Sequence, residues 1–191
     1  SLIENGKSIN TTMGLTPLDG LMMGTRSGSI DASIIEYIMK ERHETIEEVS
    51  NDLNKHSGLL GICGKNDYRD VRELLENGNI EAKLAYDMFC QSIVDNIGKY
   101  YFQIEGNLSA IVFTAGIGEN AIDLRKDIIN KISKVTGIEL DEKSNQEIAS
   151  FKDKKEGVIT TPNSSIPVLV VPTNEEVMIL REMREILINE K

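Results

Sequence analysis

Cysteine is scarce in this chain, and that scarcity removes whole classes of architecture. Cys63 and Cys90 are the only two cysteines among 191 residues, too few for a disulfide framework or a four-ligand zinc site. Both lie among apolar neighbours and read as buried small side chains. Histidine is equally scarce. His43 and His56 fall in polar stretches without spaced partners and read as exposed, and no Ser-His-Asp or Cys-His arrangement can be assembled. Positive charge is in deficit, with 21 Lys and Arg against 31 Asp and Glu and a net charge of −10. Such a surface repels a nucleic-acid backbone, and no basic run offsets it. Long apolar runs and a basic-then-apolar leader are also missing, so a soluble, cytoplasmic protein with no membrane partner is expected.

What remains is ordinary globular composition, 40% hydrophobic and 27% charged, in a chain long enough for one large domain. It opens on Ser1 inside an alternating segment, as a piece of a longer protein would. "ENGK" puts Asn5-Gly6 between two short runs, the signature of a tight hairpin. Ile30, Ile34, Ile35 and Ile38 have the spacing of an amphipathic helix. "TIEEVSNDLNKHSG" predicts a second helix, with Thr45 and Glu48 as a capping box and Gly58 as its stop. "DYRDVRELLENGN" predicts a shorter one, and Ile80, Leu84, Met88, Ile97 and Tyr101 mark a long one. After Gly106 the character changes. "LSAIVFTA" reads as a strand buried on both faces, followed by a helix through Ile122, Ile128, Ile129 and Ile132. "VITT" and "IPVLVVP" predict further strands, and "TNEEVMILREMREILINE" a closing helix. Strands alternating with helices imply an α/β sheet. No repeat or linker divides the chain, so one domain with a helical insertion at about 31–105 is expected.

Four stretches can carry chemistry. In "IVFTAGIGEN" a strand is expected to end at Ala115, and Gly116 and Gly118 make a tight turn into a helix. Such a turn lets a ligand approach the backbone and offers free N–H groups to an anion; a turn needing only a positive φ explains the same glycines. "VVPTNEEV" repeats the arrangement. Thr173 and Glu176 have capping-box spacing, which leaves Glu175 to hold Mg²⁺ or merely to complement the helix dipole. In "LMMGTRSGSID" a glycine-flanked loop presents Arg26, either as a surface arginine or as a stabiliser of charge on a transferring phosphoryl group. In "DYRD", Asp67 reads as an N-cap. Arg69 there has two open roles, contact with a base or ribose and pairing with Glu73.

Taken in order, "TTMGLTPLDGLMMGTRSGSID", "NKHSGLLGICG", "DYRD", "VFTAGIGEN" and "VPTNEE" resemble the C-terminal half of the acetate kinase family, over nearly the whole chain. The resemblance implies a ribonuclease-H-like α/β domain, as in sugar kinases and actin, and Mg²⁺-dependent phosphoryl transfer between ATP and acetate to give ADP and acetyl phosphate. It gives Arg26 the catalytic role at the phosphoryl group or the carboxylate substrate. It places Gly24, Asp67, Tyr68, Arg69, Gly116, Ile117, Gly118 and Asn120 around adenosine, and Glu175 at Mg²⁺. It also implies a homodimer, and an N-terminal domain, a first phosphate loop and a first strand that are absent here. This chain alone is therefore expected to be inactive, with its open sheet edge filled by another chain or a rearranged hairpin. Propionate as substrate, or a non-catalytic nucleotide-binding or dimerisation module, remain alternatives.

Overall fold

The computed structural model describes residues 1–148 and 156–189. The chain divides into two compact units, Ser1–Asn107 and Leu108–Lys191, each a separate body below. The architecture is mixed α/β and rich in helix.

The first unit opens with an antiparallel hairpin, β1 (Leu2–Glu4) and β2 (Lys7–Asn10). Its turn is Asn5-Gly6, both at positive φ (49° and 74°), which matches the right-handed twist of the strands it joins. Five helices follow: α1 (Ser33–Arg42), α2 (Ile46–Lys55), α3 (Gly58–Cys63), α4 (Tyr68–Glu76) and α5 (Ile80–Gln103). The expected capping box is present at α2. The Glu48 N–H donates to Thr45 Oγ1 at 3.3 Å, and the Thr45 N–H donates to Glu48 Oε2 at 2.8 Å. α2 stops at Lys55, before Gly58, which instead opens α3.

Helix α5 has the expected length but buries a different face. Its core contacts are Ala82, Ala85, Tyr86, Phe89 and Cys90, the i, i+3, i+4, i+7, i+8 stripe of an amphipathic helix. Ile80 is 79% exposed, and Leu84 and Met88 also face outwards. α3 and α4 both pack on α5, and the buried residues of α5 include the small Ala82 and Ala85. α1 likewise forms from Ser33, without a buried residue. Cys90 is buried, whereas Cys63 is only partly so. His56 is exposed but partnered, its Nδ1 lying 2.9 Å from Asp52 Oδ1.

The second unit holds a three-stranded sheet in the order β3 (Ile111–Phe113), β5 (Val168–Val170), β4 (Gly157–Val158). β3 runs parallel to β5, and β4 antiparallel to it. Between the strands lie α6 (Ala115–Asn120), α7 (Ile122–Thr136) and α8 (Glu142–Glu147); α9 (Glu175–Asn189) closes the chain. Val168 and Val170 are buried, as are Leu124, Ile128, Ile129 and Ile132 of α7. The sheet is not buried on both faces. Val112 and Val158 both register with Leu169, and both stay about half exposed.

Candidate functional site

In the first unit the Arg26 loop exists to finish a helix. An α-helix leaves its first N–H groups without intrahelical acceptors, and the N-cap of α3, Ser57, offers no side-chain bond. The loop supplies backbone carbonyls instead. Leu59 and Leu60 donate to Met23 O and Gly24 O, at 3.0 and 2.9 Å. Ser57 N–H donates to Thr25 O at 2.9 Å, Ser27 N–H to Leu53 O at 3.0 Å, and Thr25 Oγ1 to Asn54 O at 3.0 Å. Gly58 must be glycine. Its φ is +63°, and a Cβ there would lie 2.1 Å from Met23 O. Gly24 is equally confined, since a Cβ would meet Asn66 O at 2.5 Å.

With its backbone clamped, the loop turns Arg26 towards an open cleft of about 890 Å³, lined by Gly24, Arg26, Asn51, Asn54, Lys55 and Asn66 among others. The half-buried guanidinium makes one hydrogen bond among the described residues, to the Met23 sulfur at 3.8 Å from Nη1. Asn66 leads into α4, whose N-cap is Asp67 as expected; its carboxylate accepts from the Arg69 N–H at 2.8 Å. Arg69 pairs with Asp67 and not with Glu73. Nε reaches Oδ1 at 3.0 Å and Nη2 reaches Oδ2 at 2.6 Å, a two-pronged match that fixes the guanidinium plane. The Arg69 side chain and backbone N–H together hold the Asp67 carboxyl down at about 2. Tyr68 is anchored by the buried Tyr86 ring, 6.4 Å between centroids.

In the second unit the two remaining motifs meet, because β3 and β5 are adjacent and parallel and both end at the same edge. Val171 N–H donates to Phe113 O at 2.9 Å, and Thr114 Oγ1 donates to Val171 O at 2.7 Å. The strand ends at Phe113 and not at Ala115. Ala115 itself takes the positive φ, +59°, a costly conformation for a residue with a Cβ and one that collects at functional turns. Gly116 and Gly118 carry no positive φ and lie inside α6. Gly118 packs closely on Phe113, whereas a Cβ on Gly116 would meet nothing within 4 Å. Ile117 is partly exposed, and Asn120 Nδ2 donates to Gly116 O at 2.8 Å.

Three residues absent from the sequence reading hold this turn. Arg125 is completely buried. Its Nη1 donates to Gly118 O (2.9 Å) and Glu119 O (2.7 Å), the orphan carbonyls at the end of α6. Its Nε and Nη2 donate to Asn145 Oδ1 (2.8 Å) and Asn145 O (2.9 Å). Burial lowers its pKa from the ordinary arginine value. The sequence did carry a signal, since Arg125 occupies the same 3.6-residue stripe as Ile128, Ile129 and Ile132. The third residue is Glu119, whose Oε1 accepts from Thr173 N–H (2.9 Å) and Thr173 Oγ1 (3.2 Å). Thr173 is therefore tied to α6 and makes no capping box with Glu176. Asn174 caps α9 instead, accepting from Val177 N–H at 3.2 Å. α9 begins at Glu175, whose side chain lies outside the described ones.

The acetokinase family profile matches residues 1–181. Acetate kinase of Desulfovibrio desulfuricans is 47% identical over 189 residues, 98% of this chain and 45% of that protein. Acetate kinase of Phytoplasma mali is 48% identical over 185 residues, 96% of this chain and 45% of its own length. The crystal structure of Porphyromonas gingivalis acetate kinase superposes with a TM-score of 0.88 at 37% identity, over 97% of this chain and 45% of that one. A propionate kinase from Francisella tularensis superposes with a TM-score of 0.83 at 46% identity, over 93% and 44%. This chain thus spans about 45% of the length of the curated relatives it matches.

Two outcomes follow from this geometry. Arg125→Met strands three backbone carbonyl groups and the Asn145 side chain, and should cost about 3 kcal/mol in chemical denaturation; a loss under 1 kcal/mol would show that the buried hydrogen bonds are dispensable. Asp67 is held low in the folded state, so its contribution to stability is complete above pH ~4. That contribution should fade as the pH drops from ~4 through ~2. Carbon-detected titration should place the Asp67 carboxyl at about 2, and Arg69→Ala should move it up towards the ordinary carboxylate range.

Proposed function

This chain belongs to the acetokinase family, and on that premise we propose that it is the nucleotide-binding part of a kinase. The reaction is phosphoryl transfer between ATP and acetate, giving ADP and acetyl phosphate. The observation that carries the reading is Arg26, a half-buried guanidinium facing an open cleft with a sulfur atom as its one hydrogen-bond partner among the described residues. In a transition state that spreads charge over phosphoryl oxygens, catalysis is mainly positioning and electrostatic stabilisation. A cation clamped by its own backbone and left without a carboxylate is suited to that task, because no existing ion pair has to be broken.

Each unit has its own candidate nucleotide contacts: Gly24, Asp67, Tyr68 and Arg69 in the first, and Gly116, Ile117, Gly118 and Asn120 in the second. The Asp67 pair holds the Arg69 plane ready to stack or to donate. Among the described residues no three His, Cys, Asp or Glu side chains gather into a metal cage. Glu175, at the start of α9, is the candidate carboxylate for a magnesium ion that arrives on nucleotide phosphates. When bound, Mg²⁺ neutralises phosphate charge.

We assign the fold to the ribonuclease-H-like class, with the helices of about 31–105 as an insertion in one C-terminal domain. Completion by an N-terminal domain, which would bring the first phosphate loop and strand, is supported by uncovered apolar surface. Val112 and Val158 line an open sheet face, and Met178, Leu180 and Leu187 of α9 are more than half exposed. A homodimer in the cytoplasm is the assembly we expect. Among the described residues no helix is long and apolar enough to cross a membrane. Propionate in place of acetate is the second reading, favoured by the 46% identity to a propionate kinase structure.

In the complete protein carrying this chain, ATP- and Mg²⁺-dependent acetyl phosphate formation should be measurable. Arg26→Ala should lower its turnover by about 10²–10³-fold with little change in nucleotide binding; unaltered turnover would reject the role of Arg26. The 191-residue chain alone should give no acetyl phosphate above background, and measurable turnover would sink the need for a second domain.

A further inference from the structure

In the first unit cations are normally neutralised in place. Lys40 pairs with Glu36, Arg42 with Asp52, Lys65 with Asp70, Arg69 with Asp67, and Lys83 with Asp87. Lys7, Arg26, Lys55 and Lys99 have no ion pair among the described residues, and Lys55 has no hydrogen bond there either. It lines the same cleft as Arg26.

The backbone explains why both line it. Ser27 N–H donates to Leu53 O, and Ser57 N–H donates to Thr25 O. These two bonds run the segments 25–27 and 53–57 past each other in opposite directions, and the residues at the middle of that bracket are Arg26 and Lys55. The next residue, His56, pairs with Asp52 and lines a different pocket. Glu47 is the acidic residue lining the cleft. It sits in the first turn of α2, eight residues from Lys55, or about 12 Å along the helix axis. Asn51 and Asn54, uncharged, lie between them. The cleft therefore has a cationic end and an acidic end. A lysine in the last turn of α2 also complements the helix dipole, but that role would be met equally by a lysine paired on the open surface.

We propose that Lys55 is the second cation of the Arg26 subsite, and that this end of the cleft takes a dianionic phosphoryl group in preference to a monoanionic carboxylate. The inference deepens the kinase reading and rests on it. Attraction grows with the product of the charges, so adding a second cation favours a phosphoryl dianion over acetate. Arginine supplies a planar fork for two oxygens and lysine a mobile point charge for a third. Of the two tasks open to Arg26, this assigns the phosphoryl group.

The test uses the complete protein carrying this chain with inorganic phosphate and acetate at pH 8, following the Arg26 Nε–H and the amides of residues 53–57 by NMR. Phosphate should shift these signals saturably, and acetate more weakly. Lys55→Met should weaken phosphate binding about tenfold and acetate only about threefold, with the rest of the spectrum showing an intact fold. Lys55→Arg, which keeps the charge, should restore most of the affinity. Phosphate affinity unchanged in Lys55→Met, or acetate weakened as much as phosphate, would overturn the proposal. If Arg26→Ala abolishes phosphate binding while Lys55→Met does not, the inference on Lys55 fails and the kinase reading stands. If neither substitution matters, or phosphate shifts none of these signals, the cleft is not the phosphoryl subsite and both fall.

Discussion

Helix ends leave backbone N–H and C=O groups that no residue within the helix can satisfy, and a buried group left unpaired costs about 1–3 kcal/mol. This chain meets that constraint with the segments that carry its candidate ligand contacts. The start of α3 is finished by carbonyls from the Arg26 loop, and the end of α6 by the Arg125 guanidinium. α4 is started by Asp67, which holds Arg69 as well. α9 is started by Asn174, next to a threonine tied to Glu119. A side chain placed by such a cap inherits the rigidity of the helix and needs little further ordering on binding. Gly58 and Gly24 belong to the same economy of space, since each lets a carbonyl approach closer than any Cβ would permit.

Arg125 shows how far the constraint reaches. A buried cation is expensive unless its donors are all used, and here the fork spans three elements, from α7 to the end of α6 and to Asn145 in α8. Asn145 in turn donates to Ile122 O at 3.0 Å, which closes the network on α7. The acceptors are mostly carbonyls. Their dipoles at the end of α6 point at the guanidinium, so the helix end partly replaces a counter-ion.

Much of this could be read from the residues. The Asn5-Gly6 hairpin, the Thr45–Glu48 capping box, the Asp67 cap and the order of the longer helices and the strands each follow from local chemistry, whereas the short helices α3, α6 and α8 gave no such signal. The failures involve partners distant in sequence. Ile80, Leu84 and Met88 look like a core stripe, but the face of α5 that is buried is Ala82, Ala85, Tyr86, Phe89 and Cys90. Thr173 looks like a cap for Glu176 until Glu119, 54 residues away, claims it. Ala115 gives no sign of its left-handed backbone, because residues with a Cβ adopt it only where the surroundings enforce it. Arg125 was legible by register, but its charge hid it from a search for apolar periodicity.

The acidity that argues against nucleic acid also bears on a small anionic ligand, and the two cases separate by distance. At physiological ionic strength charges are screened beyond about 8 Å. A long polyanion lies across much of the surface and meets its acidic excess directly. A phosphoryl group in a cleft meets only the charges within that radius. The charged residues that line the cleft are Arg26 and Lys55 at one end and Glu47, about 12 Å away along α2. A net charge of −10 is therefore compatible with an anion subsite, provided that no carboxylate is spent on its cations. Both remain without one among the described residues, and both line the same cleft.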